Sequence, residues 1–178
     1  MNPARRLKVD LFVHVSLVFG SGLSSLTQEL LYVVCHCLPS GGIDALVYST
    51  GIGPLARLVD LDADTWRRAF DTNVVGAALV TAAAIPYLAE SRGVAVYLST
   101  VSASETPPWP GLGAYAVSKA ALDKLVEAWR AEHPAIGFTR VVAGDCTGGE
   151  GPSQVEFNRG WAPELAGEVV PIWAARGW

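Results

Sequence analysis

The chain has 178 residues, of which 51% are hydrophobic and 17% charged, and its formal net charge is −4 at pH 7. That is enough chain for one domain with a buried core, and too apolar a composition for a disordered one. The acidic balance without a basic cluster argues against nucleic acid as the main partner, and three cysteines, an odd number, suit a reducing, cytoplasmic setting without a disulfide framework.

Near the N-terminus, Arg5, Arg6 and Lys8 precede an apolar run from Leu11 to Phe19 that superficially looks like a signal peptide. Asp10 interrupts the junction, His14 and Ser16 sit within the run, and no Ala-x-Ala site follows, so a buried strand from Val9 to Phe19 explains it better. The run is too short to cross a bilayer, and no membrane partner is expected. Gly20-Ser21-Gly22 reads as a turn and Ser24 to Cys37 as a helix that starts near Ser24 or Ser25. Strand, glycine turn and helix outline a dinucleotide-binding unit, but the third glycine that allows close packing is missing. A turn between two core elements is the favoured reading. Cys35-His36-Cys37 lacks the second ligand pair that a closed zinc site needs, so no metal is expected.

Ser40-Gly41-Gly42 is punctuation, and Ile43 to Tyr48 has the short apolar run of a strand buried on both faces. It ends in Tyr48-Ser49-Thr50-Gly51. Asp62 or Asp64 then caps a helix on which Trp66, Phe70, Asn73, Ala77, Val80, Ala84 and Leu88 form one face, in steps of three and four. Asn73 falls inside that apolar stripe, where a buried amide must be hydrogen-bonded. Taken alone, it reads as a structural asparagine that bridges backbone groups.

The stretch from Gly93 to Trp129 carries the chemistry. A strand-like run, Val94 to Leu98, leads into Ser99-Thr100-Val101-Ser102, a Pro/Gly-rich loop, and a helix that opens with Tyr115. Lys119 follows one turn later on the same face. An ammonium beside a phenol lowers the phenol pKa from about 10 towards the range of a working general acid/base. Ser102 lies 115 − 102 = 13 residues before Tyr115, at the strand end. Tyr115, Lys119, Leu122, Val126 and Trp129 share one helix face, and Trp129 is either core or a helix–helix interface. Pro134 lies past the helix, and Gly137 to Ala143 reads as the next parallel strand. Strands alternating with long helices predict an α/β parallel sheet whose ligand lies beyond the carboxyl ends of the strands. Beyond Gly148 the chain reads as loop-rich, with Phe157, Trp161, Trp173 and Trp178; these aromatics either cover a substrate or belong to a fragment that lost its packing partner.

Tyr115-x-x-x-Lys119, Ser102 before it, and Asn73 in Asp71-Thr72-Asn73-Val74-Val75-Gly76 together resemble the short-chain dehydrogenase/reductase family, over roughly Ile43 to Cys146. The resemblance implies a single-domain, Rossmann-like, doubly wound parallel sheet. Residues 1–42 would be an atypical N-terminal segment, 43–147 the catalytic core and 148–178 the substrate side. The family's fold needs three strands before Ile43, and residues 1–42 offer one strand and one helix. The expectation is therefore a member lacking part of its N-terminal half, with weak cofactor binding. The implied reaction is hydride transfer between NAD or NADP, undecided, and a small carbonyl or secondary alcohol.

By the same resemblance, Tyr115 passes the proton, Ser102 hydrogen-bonds the reacting oxygen, and Lys119 tunes Tyr115 and holds the ribose hydroxyls. Asn73 opens its helix locally and holds a water that links Lys119 to solvent. Gly51, Asn73, Tyr115, Lys119, Gly144 and Cys146 contact the cofactor. Ser99 and Thr100 are neighbouring candidates for the hydroxyl role. Tyr48-Ser49-Thr50-Gly51 stands where the family commonly has Asn-Asn-Ala-Gly, and its Thr-Gly-x-x-x-Gly-x-Gly loop is absent. A homodimer or tetramer would pair through the helices that carry Asn73 and Tyr115. The alternative reading is a non-catalytic binding or dimerisation module of the same family, with impaired cofactor binding.

Overall fold

The computed structural model describes residues 12–14, 43–144 and 161–175. Strands β1 (Phe12–His14), β2 (Ala45–Tyr48), β3 (Val94–Thr100) and β4 (Gly137–Ala143) form one parallel sheet in the order β1-β2-β3-β4. Helix α1 (Ala63–Phe70), a π turn (Asp71–Val75) and helix α2 (Gly76–Ser91) connect β2 to β3, and α3 (Gly113–Glu132) connects β3 to β4. Two right-handed crossovers that step the same way along the sheet place α2 and α3 on one face of it. The predicted Gly20-Ser21-Gly22 turn, the helix from Ser24 and the Cys35-His36-Cys37 group lie outside the described residues. So do Phe157 and Trp178.

Register explains the core. Leu46 stands opposite Ala95, and Ala95 opposite Phe138; Tyr48 stands opposite Tyr97. All five are buried, packed against Ala77, Val80, Ala84 and Leu88 of α2 and Leu122 and Val126 of α3. Alternate residues of a strand face opposite ways. Val94 and Val141, on the other face, remain 43% and 47% exposed. The expectation that Ile43 to Tyr48 is buried on both faces is therefore corrected: Ala45 and Val47 are only half-buried.

The core also holds polar groups that bond across its elements. Thr81 Oγ1 donates its one proton to the Ala77 carbonyl at 2.7 Å, so the Tyr97 phenol, 2.6 Å away, is the donor to Thr81. Burial pushes that phenol up to about 12. Asp123 on α3 pairs with Arg140 on β4 at 2.9 Å.

Asp62, rather than Asp64, caps α1: its carboxylate accepts from the Thr65 amide at 2.7 Å, which holds the carboxyl below its ordinary range. The predicted single helix is interrupted by the π turn. One extra residue per turn advances the helix phase, so the buried stripe does not run straight from Trp66 to Leu88. Before the turn Ala69 is buried while Trp66 and Phe70 are half-buried; after it the stripe continues through Ala77, Val80, Ala84 and Leu88.

The predicted loop-rich tail is also corrected. Pro163–Ala175 is a helix, α4, with Pro171 inside it. Trp173 is 1% exposed and forms a second core with Leu55, Leu112 and Val169, against which Trp109, Trp161 and Tyr115 pack. Trp161 Nε1 donates to the Gly53 carbonyl at 2.9 Å and Trp173 Nε1 to the Pro110 carbonyl at 3.0 Å. Together they pin α4 across the loops that follow β2 and β3.

Candidate active site

The site is assembled where β2 and β3 end and the π turn meets α3. A normal helix would bond the Gly76 amide to the Thr72 carbonyl, four residues back. Here that amide reaches Asp71, five residues back, and the Thr72 carbonyl accepts from the Tyr48 phenol at 2.6 Å. The helix is thus opened locally at Asn73, as the resemblance implied.

Asn73 is fully buried, and its amide is used on every side. Oδ1 accepts from the Ile52 amide at 2.9 Å, while Nδ2 donates to the Ile52 carbonyl at 2.9 Å and to Ser118 Oγ at 2.8 Å. Ser118 in turn donates to the Tyr115 carbonyl at 2.8 Å. The side chain therefore works as a clamp between the loop after β2, the π turn and α3. This is the structural bridging role read from Asn73 alone.

Lys119 is 4% exposed, and its ammonium donates to the Leu98 carbonyl at 2.7 Å. Its Nζ lies 5.8 Å from the centroid of the Tyr115 ring. Burial lowers the Lys119 pKa to about 8, opposed by the negative charge of Asp123 one turn further along α3. An ammonium carries three N–H donors, and among the described residues Leu98 takes one, which leaves two facing the Gly51 side. Gly51 makes room beside them: a Cβ there would stand 3.2 Å from Lys119 Nζ and 3.3 Å from Asn73 Oδ1.

Ser102 is buried in a short 3-10 turn, Val101–Ala103, directly after β3, and α3 packs against that turn. Thr100 Oγ1 caps the turn by accepting from the Ser102 amide at 3.4 Å. Of the two neighbouring hydroxyl candidates, Thr100 therefore supports the turn that presents Ser102. Ser99 Oγ is buried without a hydrogen-bond partner among the described residues. Tyr115 is half-buried, its ring packed against the Trp173 core. Gly144 lies exposed just past β4, with open space where a Cβ would be. Cys146 lies outside the described residues.

The structure thus gathers Asn73 Oδ1 and Lys119 Nζ beside Gly51, with the Tyr115 ring 5.8 Å from the Lys119 ammonium. Three contributors escaped the sequence reading. Ser118 links Asn73 to α3, the Leu98 carbonyl holds Lys119, and the Tyr48 phenol takes the carbonyl freed by the π turn. Only Tyr48 carried a signal, as a departure from the family's Asn-Asn-Ala-Gly.

Residues 27–149 match the family described as short chain dehydrogenase, and the chain belongs to that family. It is 33% identical over 97 residues to an uncharacterized oxidoreductase of Schizosaccharomyces pombe, covering 54% of this chain and 38% of that protein. It is 39% identical over 106 residues to 11-beta-hydroxysteroid dehydrogenase A of Sesamum indicum, covering 58% of this chain and 30% of that enzyme. The matched part thus spans about a third of these curated relatives. Among solved structures, NADH-dependent reductase A1-R′ complexed with NAD superposes with a TM-score of 0.61 at 27% identity, over 66% of this chain and 52% of that one. The fold is accordingly the α/β, Rossmann-like fold of this family.

Proposed function

We propose that this chain carries the catalytic core of an oxidoreductase that moves a hydride between a nicotinamide cofactor and a small carbonyl or secondary alcohol. The observation that carries the reading is the buried Lys119 ammonium, anchored on the Leu98 carbonyl beside the Tyr115 ring. A structural lysine is rarely held in such a place, because burial disfavours its charge.

The residues present fit the nicotinamide side of a dinucleotide. Gly51 leaves the backbone close to Lys119, and the two Lys119 N–H groups without a partner among the described residues would hold ribose hydroxyls. When bound, the nicotinamide ring supplies or accepts the hydride; NAD and NADP both remain open. Tyr115 gives the substrate oxygen its proton, or takes it back, through the phenol oxygen. Ser102 donates a hydrogen bond to the same oxygen and steadies its developing charge. Lys119 favours the phenolate by its positive charge. Asn73 holds the cofactor-side loop to α3 through Ile52 and Ser118.

The oligomer belongs to the same proposal. Ala63–Ser91 is long and apolar enough to cross a membrane by length and composition, yet only one face of α2 lies on the sheet. Val117 on α3 is 48% exposed. A second copy packed on these helices would cover both surfaces, which supports a dimer. The odd cysteine count supports a cytoplasmic setting.

The direct test is a fluorescence titration of the purified chain with NADH and with NADPH, repeated on Lys119→Met. Saturable binding that weakens in the variant is expected. An absence of binding to either cofactor, or binding that Lys119→Met leaves untouched, refutes the assignment.

A further inference from the structure

We propose that Tyr48 is a positioning residue: its phenol holds the π turn in register and so fixes Asn73 on the loop that carries Gly51 and Ile52. The inference follows from where the backbone hydrogen bonds go. The Gly76 amide passes over Thr72 and reaches Asp71, so the buried Thr72 carbonyl needs another donor, and the Tyr48 phenol provides it at 2.6 Å. Tyr48 is 1% exposed, and burial raises its pKa, so it stays protonated as a donor.

Gly76 completes the pair. A Cβ at that position would stand 2.7 Å from the Tyr48 oxygen, closer than real Cβ contacts come. Glycine at 76 is what lets the phenol reach the turn. Without the phenol, the Gly76 amide is free to return to Thr72. The extra residue then migrates along the helix, and Asn73 rotates off Ile52. The chain thus uses a phenol, at the strand end where its relatives commonly carry an amide, to tie β2 to the turn. Its bearing on catalysis rests on the function proposed above; its structural claim does not.

Tyr97 supplies an internal control. It is also a buried phenol in the sheet that donates to the same helical segment, but to a side chain, Thr81, beyond the π turn. The test is amide hydrogen exchange at Ile52, whose N–H is held by Asn73 Oδ1. Tyr48→Phe keeps the ring and removes the donor. We expect Ile52 exchange to quicken by about ten- to a hundredfold. Tyr97→Phe should leave it unchanged relative to the core amides of β3. Gly76→Ala, which displaces the phenol, should reproduce the Tyr48→Phe effect and add little to it in the double variant. Should Tyr48→Phe fail to fold, Gly76→Ala alone decides, because alanine otherwise favours helix. Ile52 protection that survives Tyr48→Phe or Gly76→Ala, or that Tyr97→Phe lowers equally, overturns the proposal. A wild-type chain without cofactor binding would refute the proposed function and leave this exchange result standing.

Discussion

Asn73 and Ile52 exchange two hydrogen bonds, the Ile52 amide donating to Oδ1 and Nδ2 donating to the Ile52 carbonyl, each at 2.9 Å. The side-chain amide thus serves the loop after β2 as a neighbouring strand would, satisfying both backbone groups of one residue. Asn73→Ala strands that pair and removes the donor to Ser118 Oγ, which keeps its own bond to the Tyr115 carbonyl. Unsatisfied buried groups cost roughly 1–3 kcal/mol each, and partial hydration of the loop recovers some of it. A loss of about 2–4 kcal/mol in urea denaturation is expected. Asn73→Asp should not rescue, because it sets a carboxylate oxygen against the Ile52 carbonyl.

Lys119 predicts an unusual pH dependence of stability. Its pKa falls from 10.5 to about 8 on folding, mainly through desolvation. Between these values the unfolded chain holds the proton that the folded chain has released, so stability rises with pH through this window and levels off above it. At 1.36 kcal/mol per pH unit, the rise attributable to Lys119 is about 3 kcal/mol. Chemical denaturation of wild type and Lys119→Met across pH 7 to 11 isolates it as a difference. A difference between the two that stays flat across the window contradicts the burial of a charged lysine.

Ser102 and Thr100 should separate by kind of defect. If the proposed function holds, Ser102→Ala removes the donor to the reacting oxygen, a loss that commonly costs on the order of 10²–10³ in rate. Thr100→Val removes the cap of the turn that presents Ser102. It should lower the rate less and lower stability by about 1 kcal/mol. Steady-state rates and thermal melts of the two variants check this. A silent Ser102→Ala beside a crippling Thr100→Val would move the hydroxyl role from Ser102 to Thr100.

Periodicity made much of this legible. The run Val94 to Leu98 and the four-residue step from Tyr115 to Lys119 predict β3 and α3, and the structure holds both. That Asn73 needs partners followed from an amide inside an apolar stripe. An opening of the helix at Asn73 came only from the family resemblance, because nothing local requires the π turn. Its extra residue is held by a phenol 24 positions earlier in sequence, and local pattern carries no such information. Helix α4 was hidden for the opposite reason. Gly167 and Pro171 speak against a helix, yet burying Trp173 against Leu55, Leu112 and Val169 outweighs their cost. Tyr48 was visible only as a misfit, a residue out of keeping with the family pattern, and its meaning emerged once the Thr72 carbonyl was seen to lack its usual partner.

Proton transfer by Tyr115 is the central claim of the proposed function. Its most direct test is reduced-nicotinamide absorbance during turnover of secondary alcohols and their ketones, with wild type and Tyr115→Phe compared under identical conditions. The variant keeps the ring packed against the Trp173 core and loses only the phenol oxygen. Turnover by wild type and a loss of about 10²–10⁴-fold in the variant is the expected result. A variant within about tenfold of wild type would contradict the assignment of Tyr115 as the acid/base.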